Sequence, residues 1–252
     1  MNFSPEAVCR NRSSSPRTKK NGCPLAEAPT IYVVCSDRHR NGKTLLARVL
    51  VDYLLLENRD PFVIDANFPE GALRAAFPGR TALVDFVQIQ GQMKLFDTIM
   101  GSHGRDYVID IPAPQFENFF EVARQVDFKI EAMKAGFEIV VLFIVDKDLA
   151  SLNAADDLRV ALAPATLVHV RNLYVGSALA GHGSSFTFDI PILDRDVMNL
   201  IEDRRFSLRS FILGEESNLP AHLTRKLQIF LLAVITGLRE IEPAMSMAKL
   251  RA

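Results

Sequence analysis

The chain has 252 residues, 48% of them hydrophobic and 23% charged, with a formal net charge of −1. This balance suits one large domain with a substantial core and excludes a chain that binds nucleic acid through bulk positive charge. No continuous apolar run approaches the roughly 20 residues a spanning helix needs, and from the polar N-terminus no secretory signal is expected. The three cysteines (Cys9, Cys23 and Cys35) have no metal-ligand spacing, so a reducing cytoplasm is the expected compartment.

In chain order, residues 1–28 read as a disordered tail, with Ser13, Ser14 and Ser15, scattered prolines and little to build a core. Five basic residues (Arg10, Arg12, Arg17, Lys19 and Lys20) face two acidic ones there, which makes a solvated tail or a weak, salt-sensitive basic arm. From Thr30 the pattern is strand, helix, strand. Apolar runs at Ile31–Cys35, Phe62–Asp65, Tyr107–Ile111, Ile139–Val145 and Thr166–Val170 predict strands, and Phe186–Ile190 a sixth. Most lack alternation, as parallel strands buried on both faces do. Helical stripes lie between them: Leu46 to Leu54, a run from Phe116 to Val126, and Leu149 to Leu162. The expected fold is α/β: a doubly wound, mostly parallel sheet with helices on both faces, in a single domain over residues 29–252. The C-terminal third reads as helical. Ile229–Ile235 is apolar all round, which predicts a well-buried helix, too short to cross a bilayer.

Strand ends in such a sheet share one edge, where ligands bind. The first strand runs into Ser36-Asp37-Arg38-His39-Arg40-Asn41-Gly42-Lys43-Thr44. Gly-Lys-Thr is the second half of a phosphate loop, in which backbone N–H groups and a helix N-terminus meet phosphate. Lys43 is placed to reach the outer phosphates and Thr44 to hold Mg2+. The pattern's first glycine falls on Asp37, and the loop interior is bulky and basic. Asp65 and Asp110 end the second and third apolar runs, where a phosphate-loop site holds Mg2+. Asn172 follows the run through Val170 and can read a base edge, since its amide both donates and accepts.

With these residues in place, the chain resembles the ParA/MinD group of deviant Walker A P-loop ATPases over residues 30 to 240. The resemblance rests on the Gly-Lys-Thr loop, then Val63-Ile64-Asp65-Ala66-Asn67, Asp110-Ile111-Pro112-Ala113-Pro114, Val168-His169-Val170-Arg171-Asn172 and Asp189-Ile190-Pro191. It implies an ATP- and Mg2+-binding fold that forms a nucleotide-dependent homodimer and meets a protein partner, with DNA or a membrane surface as further contacts. It places Arg40, Asn41, Gly42, Lys43, Thr44, Asn172 and Pro191 against the nucleotide. It places Thr44, Asp65 and Asp110 at the metal, and Lys43, Arg38 and Asn67 at catalytic positions. Arg38 stands where the family has its signature lysine, which reaches the partner subunit's nucleotide. Asn67 stands where the family has a carboxylate that arranges the attacking water. His39 and Arg40 replace the loop glycines. These departures imply that binding persists while hydrolysis is slow or absent.

Three readings follow. The first, adopted here, is an ATP-binding dimerising switch of the partitioning or positioning type, for which Arg204, Arg205 and Arg209 could form a DNA-facing patch. The second is a degenerate, non-hydrolysing scaffold or regulator. The third is a small-molecule ATP-dependent ligase or kinase, whose substrate groups would come from Gly79–Gly104, with Gln88, Gln90, Gln92 and His103.

Overall fold

A computed structural model of the chain describes residues 28–102, 104–162, 165–176, 186–202, 206–215 and 219–249. Residues 1–27 of the expected tail, His103, Arg204 and Arg205 lie outside these residues. The strands are β1 (Thr30–Cys35), β2 (Phe62–Asp65), β3 (Thr81–Leu83), β4 (Tyr107–Asp110), β5 (Glu138–Val145), β6 (Thr166–Asn172) and β7 (Phe186–Ile190). They form one seven-stranded sheet in the order β3-β2-β4-β1-β5-β6-β7. Every pairing between neighbours is parallel.

The helices are α1 (Lys43–Leu56), α2 (Ala72–Ala76), α3 (Ile89–Met100), α4 (Phe116–Gln125), α5 (Phe128–Lys134), α6 (Leu149–Leu162), α7 (Arg195–Glu202), α8 (Leu208–Ile212) and α9 (Ala221–Lys249). Side chains alternate across each strand, so each face of the sheet has its own core. Tyr32 and Val34 of β1 pack with α1, α7, α8 and α9 on one face. Ile31, Val33 and Cys35 pack with α3, α4 and α5 on the other. The doubly wound arrangement expected from the unalternating runs is present, and β1 is the middle strand.

Two elements differ from expectation. Residues 79–104, read as a thin substrate segment, contain β3 and α3, which the sequence did not predict. Gln88 flanks the start of α3, Gln90 is exposed, and the Gln92 amide donates to the Phe86 carbonyl. None of these three is brought to the Gly-Lys-Thr loop by the hydrogen bonds described. The C-terminal helix is also not buried all round. Leu227, Phe230, Leu231, Val234 and Leu238 are in the core, while Ile229 is 59% and Leu232 69% exposed.

The statement that this helix is too short to cross a bilayer also fails. Ala221–Ile241 spans 21 residues and holds an 18-residue stretch of mean hydropathy 1.2, long and apolar enough by length and composition alone. The expectation counted only the continuous run at Ile229–Ile235, whereas the helix continues through Arg225, Lys226 and Gln228 on one side and Thr236 and Gly237 on the other. Its buried stripe belongs to the core beneath β7 and α1.

The approach of α9 to β7 depends on Gly237. A Cβ there would stand 2.6 Å from Cδ2 and 2.8 Å from Cβ of Phe188. Overpacking of this kind typically costs about 1–3 kcal/mol. Gly237→Ala is expected to lose that much in urea unfolding, and an unchanged midpoint would contradict the close contact.

Candidate functional site

The C-terminal ends of the parallel strands share one edge, and the segment between β1 and α1 closes over it. This loop is held from inside. The Ser36 hydroxyl accepts from the Arg38 amide at 3.2 Å and from Asn41 Nδ2. Asn41 Nδ2 also donates to the Ile144 carbonyl of β5 at 3.3 Å. The Asn41 side chain, 1% exposed, is thus the loop's internal strut. It fixes the backbone rather than projecting toward a ligand. Arg40 takes a positive φ of 53° and its side chain is exposed.

Gly42 precedes α1 with φ 94°, a left-handed conformation that glycine adopts without strain. Helix α1 therefore starts at Lys43 with its first N–H groups facing the loop, the arrangement that receives anions. Lys43 Nζ donates to the Arg38 carbonyl at 2.5 Å and to Asn41 Oδ1 at 3.1 Å. Burial pushes its pKa down, while Asp110, Cys35 and Asp37 push it back up. The neighbouring Cys35 thiol is fully buried, and burial raises its pKa far above the usual range, so it is no nucleophile.

The carboxylates expected near Thr44 are there. Thr44 Oγ1 donates to Asp110 Oδ2 at 2.7 Å, and Asp65 and Asp110 are register partners on β2 and β4. Burial raises the Asp110 pKa to about 7; Asp65 adds to the rise, and Thr44, Lys43 and Asn67 oppose it. Asp110 Oδ1 is buried and accepts no hydrogen bond within the structure.

Asp65 is differently employed. Its Oδ2 accepts from the Leu73 and Arg74 amides at 2.9 and 3.3 Å, holding the first turn of α2. Asn67 Nδ2 bridges the two carboxylates, 3.1 Å from Asp65 Oδ1 and 2.8 Å from Asp110 Oδ2. An orphaned buried oxygen beside a threonine hydroxyl fits a hard cation that takes oxygen ligands. The fit is to Asp110 and Thr44; Asp65 supports the site through α2 and Asn67.

Arg38 lies at the rim, its side chain 40% exposed. Its Nη2 is 2.5 Å from Asp148 Oδ2 and its Nε 3.2 Å from Asp37 Oδ2. Asp37 in turn accepts from the Ser151 hydroxyl at 2.8 Å. The sequence did not mark Asp148 or Ser151, which are more than 100 residues away along the chain.

At the other end, Asn172 Nδ2 donates to the Asn41 carbonyl at 2.8 Å, and its Oδ1 accepts from the Tyr174 amide at 3.0 Å. Pro191 follows β7 directly and is half-buried. A cavity of about 420 Å3 opens beside Thr44 between α1, α2 and α7, walled by Leu45, Leu73, Leu193 and Met198. Beneath it Arg48 is buried, donating to the carbonyls of Ile201 and Phe206. This ties α1 to the end of α7, a role hidden in sequence because a helix arginine normally faces solvent.

A parallel sheet with a Gly-Lys-Thr loop at the end of its middle strand, and a buried carboxylate facing that threonine, defines a P-loop NTPase fold. Within that class the structure is similar to a septum site-determining protein MinD complexed with Mg-ADP from Pyrococcus horikoshii. That likeness covers 87% of this chain and 98% of that one, with a TM-score of 0.55 and 14% identity. It is also similar to a MinC:MinD cell division protein complex from Aquifex aeolicus, covering 84% of this chain and 96% of that one at 13% identity, with a TM-score of 0.52. No family model matches the sequence, and no curated protein does. The chain therefore has a MinD-like fold with a divergent sequence.

Proposed function

We propose that the chain is a nucleotide-dependent dimer switch of the partitioning or positioning type, which binds ATP with Mg2+ and hydrolyses it slowly. The observation that carries this reading is the buried, half-unpartnered Asp110 facing Thr44 at the start of α1. The MinD proteins of similar fold, one bound to Mg-ADP and one complexed with MinC, support a switch that reads nucleotide and meets a protein partner.

The N-terminal amides of α1 and the Lys43 ammonium receive the phosphates. To do so, Lys43 exchanges its bonds to the Arg38 carbonyl and Asn41 for phosphate oxygens. Thr44 and Asp110 would hold Mg2+, which neutralises phosphate charge when bound. Asn67 limits turnover. An amide is no proton acceptor for water, and its N–H groups are already given to Asp65 and Asp110. That same bridge is the feature favouring the second reading, a scaffold that binds without turnover; ATPase activity absent even with a partner would select it.

Arg38 reaches the partner's nucleotide across the dimer. It leaves two partly exposed carboxylates to do so, and such pairs are each worth about 0–1 kcal/mol. Its release is therefore easy. Arg38→Ala is expected to keep ATP affinity within about three-fold, since no phosphate of its own subunit depends on the side chain, and to lose ATP-dependent dimerisation in light scattering. Undiminished dimerisation would exclude a role for Arg38 in trans.

A further inference from the structure

The charged and amide side chains at the base end of the site are turned to the protein. Asn172 is 8% exposed. It gives its amide nitrogen to the Asn41 carbonyl and receives the Tyr174 amide on its oxygen. Gly42 packs against it so closely that a Cβ would stand 2.8 Å from Asn172 Nδ2. The adjacent charged residues are paired with each other: Arg171 Nε and Nη2 grip Asp189 Oδ1 and Oδ2 at 2.5 and 2.8 Å. Pro191 offers no side-chain donor or acceptor. The remaining large group is Tyr174, 66% exposed at the end of β6. An aromatic ring holds any base by stacking, because every base has a π-face.

We infer that the site selects the triphosphate and not the base, so that Asn172 positions the phosphate loop and purine and pyrimidine nucleoside triphosphates bind alike. The inference rests on the nucleotide reading above and deepens it. Discrimination between analogues reaches orders of magnitude only where a site's own hydrogen-bonding groups wait for the correct partner. Among the described residues at the ends of β6 and β7, Arg171, Asn172 and Asp189 have their partners within the chain, and Tyr174 offers an exposed ring. The recognition that remains is at the other end: the amides opening α1, Lys43, Thr44 and Asp110. The geometry makes Asn172 a positioning residue. Its bond to the Asn41 carbonyl braces the turn from which Gly42 launches α1, so its effect on binding passes through the phosphates and is common to all nucleotides.

The test is calorimetric titration of the full chain in Mg2+ with ATP, GTP, CTP and inorganic tripolyphosphate. The expected result is dissociation constants for the three nucleotides within about three-fold of one another, with tripolyphosphate also bound. ATP binding ten-fold or more tighter than GTP and CTP would overturn the inference and leave the nucleotide reading standing. No binding by any of the four would overturn both. Asn172→Ala supplies the second arm. Losing the brace should weaken all three nucleotides together, on the order of ten-fold, with their ratio unchanged. A loss confined to ATP would show that Asn172 reads the base. If the variant does not fold, the wild-type ratio still decides.

Discussion

Gly42→Ala is expected to remove nucleotide binding while leaving the fold in place. The residue sits at φ +94°, where a side chain is strained by about 1–3 kcal/mol. Its Cβ would also meet Asn172 Nδ2 at 2.8 Å, so the bond from Asn172 to the Asn41 carbonyl must break. That bond adds about 1 kcal/mol. The loop must reshape, and the amides opening α1 lose their common direction. Affinity for Mg-ATP should fall on the order of 100-fold or more, in line with about 3 kcal/mol. Calorimetry reads the affinity and thermal unfolding the fold. Affinity within three-fold of wild type would show that the backbone here is not set for phosphate.

Asp110→Asn should move stability and function in opposite directions. In the unfolded chain this carboxyl titrates near 3.8, and in the folded chain near 7, because burial disfavours its charge. Between these values the folded state holds the extra proton. The group's contribution is thus fully present below about pH 4 and is lost as pH rises through 7. Asp52, also buried and raised to about 7 beside Arg48, adds to the same slope. At pH 8 the folded wild type carries a desolvated charge at position 110 that asparagine lacks. Without Mg2+, Asp110→Asn should then be the more stable protein by about 1–3 kcal/mol, with no such gain at pH 4.5. The same change removes the one carboxylate that faces Thr44, so nucleotide binding should become weaker and indifferent to Mg2+. A variant destabilised at pH 8 and still dependent on Mg2+ would contradict the placement of the metal at Asp110.

Much of this was legible in the chain. The central strands carry unbroken apolar runs, which few arrangements other than a buried parallel sheet allow. Once the sheet is parallel, Asp65, Asp110 and Asn172 must share an edge with the loop after β1. What was not legible depends on distance along the chain or on brevity. Strand β3 has three half-buried residues at the sheet edge, too few to make a pattern. Helix α3 is interrupted in composition by Gly91 and two glutamines. The length of α9 is masked because Arg225, Lys226 and Gln228 on one side and Arg239 and Glu240 on the other bound its apolar run. In the site, the sequence marked residues but not the side-chain partners the structure gives them. Asn41 was marked as a nucleotide contact, and its side chain bonds Ser36 and the Ile144 carbonyl, a partner 103 residues away. Asp65 was marked as a metal ligand, and nothing in the sequence signals that its carboxylate also holds the first turn of α2. Arg38 was matched to the family's signature lysine, while its pairing with Asp148 joins segments that sequence spacing cannot connect.

The most direct test of the central claim is Mg-ATP titration with calorimetry and light scattering together, on wild type and Lys43→Ala. The account predicts that the wild type binds ATP and doubles its mass, and that Lys43→Ala does neither. Failure of the wild type to bind ATP, or binding that survives unchanged in Lys43→Ala, would contradict it.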